Sequence, residues 1–443
     1  MFGFLKSAPK IPRLTDDSKI RALYPIFRWR MLEATFIGYA VFYLLRNNLS
    51  PVAADLGGAV GYTKSEIGDF QAATALAYGL GKFLLGALSD RSNPRYFMPL
   101  GLLATAVLNL AFGASGDYTT HLILWTLNGF VQGMGWPPCG RTLGHWFSEN
   151  ERGTYFAAWN IAHNVGGGLA GVIAAESARL FGWQSAFYVP AALAIVCAVY
   201  LVFRLRDTPQ SVGLPPIEEY RNDYPPGQSR ATSNPDDDHE RELTTYELFV
   251  EQIFLNPYLW LFASANFFVY ITRYAMLDWG PTYLREVKGT DISGGGLSIL
   301  ILEFAGIPST LLMGWLSDQM GGRRGLVSLL CMIPIFGAFA GILYTPPGML
   351  WLDLTLMAVI GFFVYPPVML LGVAGLDFTS KKAVGTAAGF IGLLGYIGRM
   401  VQGKVLGTVA ETQGWEPALN LVLIAALCAI VLLSFTVRLK PRG

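Results

Sequence analysis

Twelve apolar stretches, each long enough to cross a lipid bilayer as a helix, constrain the possible folds of this chain more than any other feature. A transmembrane helix needs about 20 predominantly apolar residues. Only 14% of the 443 residues are charged, against roughly 25% in soluble domains. We therefore expect an all-α membrane protein with twelve transmembrane helices. The spans are predicted at residues 28–52, 65–88, 96–115, 120–143, 154–175, 184–204, 256–284, 292–316, 326–344, 350–376, 383–407 and 415–437.

Basic residues are concentrated on the side of the predicted membrane that carries both termini. Seven lie before the first span or within its first three residues. Others on that side are Arg91, Arg95, Arg152, Arg323, Arg324, Lys381, Lys382, Arg438, Lys440 and Arg442. The opposite loops hold only Lys64, Arg179, Arg285 and Lys288. Because cytoplasmic loops carry an excess of Lys and Arg, both termini are predicted to be cytoplasmic.

A polar segment divides the chain into two parts. Residues 205–255 interrupt the apolar pattern, and 225–239 is rich in Pro, Ser, Asn and Asp. Such a composition cannot bury enough apolar surface to become ordered by itself. Six predicted spans lie on each side. We therefore predict an N-terminal six-helix bundle at 1–204, a cytoplasmic linker at 205–255 and a C-terminal six-helix bundle at 256–443.

Three landmarks recur in the same order and in nearly the same register in the two predicted bundles. The members of each pair are 227, 228 and 232 positions apart. The pairs are Arg46 and Arg273, Gly86-Ala-Leu-Ser-Asp90 and Gly314-Trp-Leu-Ser-Asp318, and Gly166 and Gly398. We infer a duplicated six-helix unit. Parallel halves of this kind place a substrate at their interface, near the midplane of the membrane.

Arg46 and Arg273 lie inside apolar sequence at matching places in the two halves, each three residues after a tyrosine. A cation at the centre of a membrane helix costs about 2.5–3.5 kcal/mol on insertion scales. The chain carries this unfavourable free energy twice, at matching places. A shared anionic ligand, held midway across the membrane by both halves, explains why both arginines are there. The alternative is that each arginine pairs with a neighbouring carboxylate as part of the structure.

Several stretches resemble known families. The two Gly-x-Leu-Ser-Asp copies, with the arginines that follow them, resemble the loop motif of the major facilitator superfamily. More specific stretches resemble the organophosphate:phosphate antiporters within that superfamily, and they lie at 38–46, 132–141, 159–167, 206–220 and 273–288. The similarity extends over nearly the whole chain. It implies the major facilitator fold, in which two pseudo-symmetric bundles rock against each other around a central site.

The resemblance implies that Arg46 and Arg273 bind the phosphate of the substrate. A guanidinium group presents a planar fork that matches two phosphate oxygens, and it stays protonated. Lys82 lies four positions after Tyr78, on the same helix face, and is implied as a further cation of the site. The alternative for Lys82 is a side chain that snorkels to the cytoplasmic surface.

Asn160, His163 and Asn164 share one helix face, because they are spaced at i, i+3 and i+4. The resemblance implies that this cluster binds substrate. The alternative is an interhelical hydrogen-bonding group with no ligand. Because an imidazole titrates near physiological pH, His163 is also a candidate for coupling substrate charge to a proton.

Aromatic residues are expected to line the pathway, with hydroxyl groups available to ligand oxygens; packing is the alternative for each one. They are Tyr39, Tyr43, Tyr78, Trp136, Tyr270, Tyr365 and Tyr396. Asp278 and Glu303 are expected to form the charge network of the site. Against Arg46, Lys82 and Arg273, these two carboxylates leave a net charge near +1, which a bound phosphate would roughly neutralise.

Two positions depart from the pattern of the relatives. Asn47 stands where a lysine commonly follows the first arginine, and this puts the pairing of Asp278 and Glu303 in doubt. Arg399 stands where relatives tend to have a small or apolar residue. It lies about 18 residues after Lys381 on an outward-running helix, which at about 1.5 Å per residue brings it close to the periplasmic face. We therefore predict a snorkelling arginine there rather than a further substrate contact.

The expected function is secondary transport in the bacterial inner membrane: exchange of glycerol-3-phosphate, or a similar organophosphate, for inorganic phosphate by alternating access. Exchange of hexose-6-phosphate or phosphoglycerate is an alternative. So is a sensor that binds a sugar phosphate without transporting it. The chain has no Gly-x-x-x-x-Gly-Lys-[Ser/Thr] loop and no evident nucleophile paired with a base, so neither ATP-driven transport nor an enzyme is expected.

No cofactor, metal ion or nucleic acid is expected to bind, and the partners are the two phosphate substrates and the lipid bilayer. The four cysteines have no metal-binding spacing and are interpreted as small packing residues; they are Cys139, Cys197, Cys331 and Cys428. Each chain is expected to function as a monomer.

Overall fold

The computed structural model describes residues 5–89, 91–223, 246–376, 378 and 384–439, and these form helices joined by short connections. The helices are α1 (Asp17–Leu44), α2 (Leu49–Val60), α3 (Lys64–Ser89), α4 (Pro94–Ala114), α5 (Tyr118–Val131), α6 (Trp136–Trp146), α7 (Glu149–Phe181), α8 (Ser185–Arg204), α9 (Ile217–Arg221), α10 (Pro257–Tyr274), α11 (Gly280–Lys288), α12 (Ile292–Gln319), α13 (Arg324–Tyr344), α14 (Leu350–Leu376), α15 (Val384–Thr412) and α16 (Trp415–Ser434). Predictions that fall on Asp90, 225–239, Lys381, Lys382, Lys440 and Arg442 lie outside the described residues.

The described helices form twelve membrane-crossing elements, which confirms the predicted fold class. Six of them are long and apolar enough to cross a membrane by length and composition alone: α4, α8, α12, α13, α14 and α16. The other six elements are α1–α2, α3, α5–α6, α7, α10–α11 and α15. These less apolar elements carry most of the polar residues of the candidate site, because they turn a polar face towards the centre of the bundle.

The first membrane element is broken in its middle, where the sequence predicts one continuous span. α1 ends at Leu44 and α2 begins at Leu49. The break leaves backbone carbonyls without their helical donors, and buried amide side chains replace these donors. Asn109 and Asn128 donate to the carbonyl of Leu45 at 3.4 and 3.0 Å, and Gln132 donates to that of Phe42 at 3.0 Å. Backbone of this kind is tolerated at membrane depth only where protein satisfies it.

The corresponding element of the second half is also interrupted. α10 runs into a π-helical turn at Ala275–Trp279 before α11 begins. Side chains of the first half satisfy the carbonyls of this turn. The Ser50 hydroxyl donates to Leu277 at 2.6 Å and lies 3.0 Å from the Asp278 carbonyl, and Gln71 donates to the same Asp278 carbonyl at 3.1 Å. The irregular turn is therefore held by contacts between the halves.

The two halves meet through α3 with α15, α7 with α12, and α2 with α11. In the described residues, hydrogen bonds and ion pairs between the halves lie at mid-bundle or towards the side opposite the termini, which we call the distal side. The distal ion pairs are Lys64 with Glu286 at 3.1 Å and with Glu411 at 3.7 Å, Arg285 with Asp55, and Lys404 with Asp69 at 2.8 Å. This distal seal closes the interface on one side.

The beginning of the predicted linker is attached to the first half. Asp207 accepts from Arg141 at 2.9 Å and from the backbone of Ala8 at 2.8 Å. Tyr220 stacks on Tyr24 with ring centroids 3.9 Å apart. Residues 205–223 therefore pack with the N-terminal bundle, while the predicted domain limits themselves stay a prediction.

Candidate functional site

Both predicted arginines lie where their membrane elements are broken. Arg46 belongs to the break between α1 and α2, and Arg273 is the penultimate residue of α10, directly before the π-helical turn. Each side chain is only 6% exposed. Broken helices at membrane depth commonly expose binding groups to a central site. The structure thus places one buried guanidinium group from each half near the middle of the bundle.

Neither arginine forms an ion pair with an acid among the described residues. The Nε of Arg46 lies 3.4 Å from the side-chain oxygen of Gln132. One terminal nitrogen of Arg46 and the Nε of Arg273 are buried and have no hydrogen-bond partner. A buried donor without a partner costs about 1–3 kcal/mol, and more when it is charged. The alternative, in which each arginine forms a structural ion pair with a carboxylate, therefore does not describe Arg46 and Arg273. Their donors without partners fit an anionic ligand.

A chain of ring contacts connects the two arginines along one side. The guanidinium of Arg46 lies 4.5 Å from the ring centre of Tyr43, which is 5.9 Å from His163. His163 is 5.6 Å from Tyr365, whose ring lies 4.6 Å from the guanidinium of Arg273. His163 is also within range of the positive charges of both arginines. Residues from α1, α7, α10 and α14 thus meet in one place.

A second chain of contacts closes the path on the other side, with successive distances of 4.0, 5.2, 5.5, 5.6 and 5.0 Å. It runs through Arg46, Tyr78, Tyr396, Tyr270, Tyr274 and Arg273. The two chains together form a closed path of nine side chains, which we call the central circuit. Four tyrosine hydroxyls come from the second half and two from the first, so both halves contribute donors.

The remaining predicted site residues lie around the circuit. Tyr39 stacks on Trp159 at 4.8 Å and is 4% exposed, so it supports Tyr43 from behind. The ammonium group of Lys82 is 5.2 Å from the ring of Trp136, which is 37% exposed. Asn160 offers its backbone carbonyl to the His163 ring. Whether each of these residues binds substrate stays a prediction.

Glu303 connects the halves at the level of the circuit. It is fully buried, receives the Tyr365 hydroxyl, and lies 3.0 Å from the Asn164 side-chain nitrogen, which also donates to the Glu303 backbone carbonyl. One carboxylate oxygen has no partner. The carboxylate of Glu303 also interacts electrostatically with the guanidinium of Arg273. Glu303 therefore belongs to the electrostatic surroundings of Arg273, while its role in a charge network of the site stays a prediction.

Arg399 does not snorkel to the membrane surface, so that prediction is wrong. Its side chain is buried and donates to both carboxylate oxygens of Asp278, at 3.0 and 3.3 Å. Its guanidinium also lies 3.9 Å from the ring of Tyr274, a member of the circuit. Because the Asp278 carboxylate neutralises this cation inside the protein, the guanidinium does not have to reach water at the membrane surface.

The Asp278–Arg399 pair changes the predicted charge of the site. Asp278 is neutralised by Arg399. Glu303 is then the one remaining carboxylate of the predicted network that offsets the charges of Arg46, Arg273 and Lys82. The net charge of the site is then near +2, compared with the predicted +1. The circuit is more electropositive than the sequence suggested.

A small cavity lies on the distal side of Arg46, with a volume of about 20 Å³. Its lining includes Asn47, Gln71, Asp278 and Arg399. The side-chain oxygen of Gln71 is buried without a partner, and a cavity of this size accommodates about one water molecule. Asn47 therefore lines the same cavity as the Asp278–Arg399 pair.

Sequence reasoning missed Tyr274, Gln132, Ser50 and Gln71. Tyr274 follows Arg273 directly, and neighbouring residues on an α-helix do not face each other. The structure nevertheless brings the Arg273 guanidinium to 5.0 Å from the centre of the Tyr274 ring. Gln132, Ser50 and Gln71 act on backbone groups of distant elements, and no local sequence signal marks such contacts.

Comparison with known proteins gives the following similarities. The Major Facilitator Superfamily sequence model matches residues 35–403. The glycerol-3-phosphate transporter of Bacillus subtilis (strain 168) is 43% identical over 443 residues, which cover 98% of each chain. The membrane sensor protein UhpC of Escherichia coli (strain K12) is 36% identical over 444 residues, which cover 100% of each chain.

The fold of this chain is similar to that of a solved structure. The solved protein is a bacterial homologue of the human lysosomal transporter Spinster in an inward-facing and unoccupied conformation. It aligns with a TM-score of 0.75 over 93% of this chain and 97% of that chain, at 14% sequence identity. At this identity the likeness concerns the fold alone.

Proposed function

We propose, on the premise that this chain belongs to the Major Facilitator Superfamily, that it exchanges glycerol-3-phosphate or a similar organophosphate for inorganic phosphate. It is a multi-pass protein of the bacterial inner membrane and a transporter rather than an enzyme. The excess of basic residues on the termini side supports a cytoplasmic position for both termini. The observation that carries the proposal is the central circuit, in which two buried guanidinium groups keep donor atoms that no described residue satisfies.

A phosphoryl group supplies the acceptors that the circuit lacks. Arg46 and Arg273 each offer a planar pair of N–H donors, and phosphate oxygens accept such pairs in a bidentate manner. A phosphate monoester carries about −1.5 to −2 charges at pH 7, which matches a site near +2. The tyrosine hydroxyls and His163 remain for the other phosphate oxygens and for the organic part of the substrate.

Obligatory exchange follows from the same charges. Each half contributes one unpaired guanidinium, so closing the halves around an unloaded site brings like charges together in a low-dielectric medium. A bound phosphate removes that repulsion and attracts both arginines. The halves therefore exchange sides readily with a phosphate substrate between them and slowly without one. The breaks beside Arg46 and Arg273 allow each arginine to move relative to the distal part of its element.

A sugar-phosphate sensor is the second candidate, because the Escherichia coli sensor is 36% identical over its whole length. A sensor requires the same anion site, so the circuit does not distinguish the two functions. The higher identity to the Bacillus subtilis transporter favours transport. Movement of substrate across a membrane separates the two candidates directly.

The test is exchange by the purified chain in proteoliposomes loaded with radiolabelled phosphate. External glycerol-3-phosphate is expected to release the label, and phosphate-free buffer is expected to release little. Glucose-6-phosphate and 3-phosphoglycerate, added in parallel, rank the alternative substrates. Saturable binding of glycerol-3-phosphate without release of label would identify a sensor instead. Rapid release into phosphate-free buffer would contradict obligatory exchange.

Arg46→Lys and Arg273→Lys test the guanidinium fork, because each keeps the charge and loses the paired donors. A hydrogen bond to a charged group contributes about 1.5–3 kcal/mol, so exchange at low substrate should fall by roughly one to two orders of magnitude. Arg179→Lys is the matched control, since Arg179 is an exposed distal residue paired with Glu176. Full exchange by both site variants would exclude bidentate binding.

A further inference from the structure

Three guanidinium groups converge at the end of α8 on the termini side, and none of them belongs to the central circuit. Arg30 of α1, Arg95 of α4 and Arg206, just beyond α8, each donate to backbone carbonyls within residues 202–205, at 2.6–3.3 Å. We call these three residues the α8-end cluster. Carbonyls at the C-terminal end of a helix attract cations, and this explains why the side chains gather there.

The α8-end cluster has more positive charge than its surroundings neutralise. None of its three arginines forms an ion pair with an acid in the part of the chain that the structure describes. Glu33 is close by, but it is bound to Arg204 and to the Tyr200 hydroxyl. The helix end supplies only about half a negative charge. Burial, together with the charges of Arg95 and Arg30, lowers the pKa of Arg206.

The surface beside the cluster is apolar and exposed. Trp29 is 67% exposed and Phe203 66%, and Val199, one helical turn before Phe203, is 54% exposed. α8, which carries Phe203 and Val199, is long and apolar enough to cross a membrane, so we expect these two exposed side chains to face acyl chains. An exposed tryptophan next to arginines is typical of the headgroup level of a bilayer. The cluster therefore combines cations at headgroup depth with a surface for lipid tails.

We propose that the α8-end cluster binds the headgroup of an anionic phospholipid in the leaflet on the termini side. The phosphodiester accepts hydrogen bonds from Arg30, Arg95 and Arg206, and the acyl chains lie along Phe203 and Val199 of α8. Basic pockets between membrane helices recognise lipid headgroups in this way. A free phosphate ester lacks the apolar part that the exposed surface of α8 would cover. The bound lipid connects α1, α4 and α8 on the lipid-facing side of the first half.

The test uses the full chain in detergent, titrated with phosphatidylglycerol and, in parallel, with phosphatidylcholine, with bound lipid counted by native mass spectrometry. Glycerophosphoglycerol, the headgroup without acyl chains, forms a third arm. The expected result is a phosphatidylglycerol site at least tenfold tighter than phosphatidylcholine, with no comparable binding of the free headgroup. Equal binding of the two lipids, or equally tight binding of the free headgroup, would overturn the proposal.

The variants locate the site. Arg30→Gln with Arg206→Gln is expected to lose the preference for phosphatidylglycerol by about tenfold. Arg21→Gln with Arg91→Gln removes the same charge from exposed positions on the same side and is expected to keep the preference. Arg30→Lys with Arg206→Lys, which preserves charge and folding, is expected to retain part of it. Equal losses in the two glutamine pairs, or a lysine pair that keeps the preference in full, would assign the effect to general charge and contradict a built site.

Discussion

At the scale of single residues, the buried cations differ in whether the protein supplies their counter-ion. Arg399 has Asp278, with both carboxylate oxygens engaged. Arg46 and Arg273 have no acid partner among the described residues and keep unsatisfied donors. The sequence indicates an arginine in an apolar span, but it does not indicate which residue is its counter-ion. Asp278 and Arg399 are 121 residues apart, so only the packing of α15 against the π-helical turn brings them together.

Removing the cation of the Asp278–Arg399 pair is predicted to destabilise the protein. Arg399→Met leaves a buried carboxylate without its counter-ion, which typically costs about 3–5 kcal/mol. Arg399→Met combined with Asp278→Asn removes both charges and should recover most of that loss. Thermal unfolding of the purified variants in detergent measures the effect. A double variant as unstable as the single one would show that the pairing is not what the arginine contributes.

Most members of the central circuit stand out as candidates in the sequence, and the reason is physical. Tyr43 and Tyr270 precede their arginines by one helical turn, so they face the same side, and His163 stands out as a titratable group in an apolar span. Tyr274 is missed because adjacent residues on a helix are not expected to face each other. The role of each residue in binding stays a prediction until a ligand is seen.

At the scale of elements, the repeated glycines of the two halves explain how the arginine-bearing helices are packed. A Cβ at Gly166 would lie 2.2 Å from the carbonyl oxygen of Ala40, and one at Gly398 would lie 2.3 Å from that of Phe267. Ala40 and Phe267 are 227 positions apart, as the two arginines are. α1 with α7 and α10 with α15 therefore cross at equivalent places. The sequence shows the glycines, but the breaks beside them depend on amides from other helices.

Gly398→Ala is predicted to destabilise the second half. The new methyl group would overlap the Phe267 carbonyl, and overpacking typically costs about 1–3 kcal/mol. Gly392→Ala on the same helix is the matched control, since a Cβ there meets nothing within 4 Å, and alanine is the better helix former by about 1 kcal/mol. The unfolding temperature should fall for Gly398→Ala and stay equal or rise for Gly392→Ala. Equal stability of the two variants would contradict the close crossing.

At the scale of the whole molecule, the contacts between the halves define one conformation of a carrier. The distal seal joins residues more than 200 positions apart, and hydrogen bonds from Ser50 and Gln71 of the first half hold the π-helical turn of the second. The sequence predicts twelve spans and two halves, because hydrophobic length and repetition are local properties. It does not predict which side is closed, because the same chain must form both closed states during transport.

Locking the distal seal is predicted to stop exchange. The hydroxyl oxygens of Ser65 and Thr408, one from each half, are 3.0 Å apart. Ser65→Cys with Thr408→Cys, in a chain whose four native cysteines are replaced by alanine, should form a disulfide under oxidation and lose exchange, which a reductant should restore. Each single variant is the control and should remain active when oxidised. Undiminished exchange by the oxidised double variant would mean that the halves need not separate there.

The central claim is that Arg46 and Arg273 hold one phosphoryl group between the two halves. An experimental structure of the protein with glycerol-3-phosphate bound tests it most directly. We predict that one phosphoryl group lies within hydrogen-bond distance of both guanidinium groups and inside the central circuit. A phosphoryl group that contacts only one of the two arginines, or that lies outside the circuit, would contradict the account.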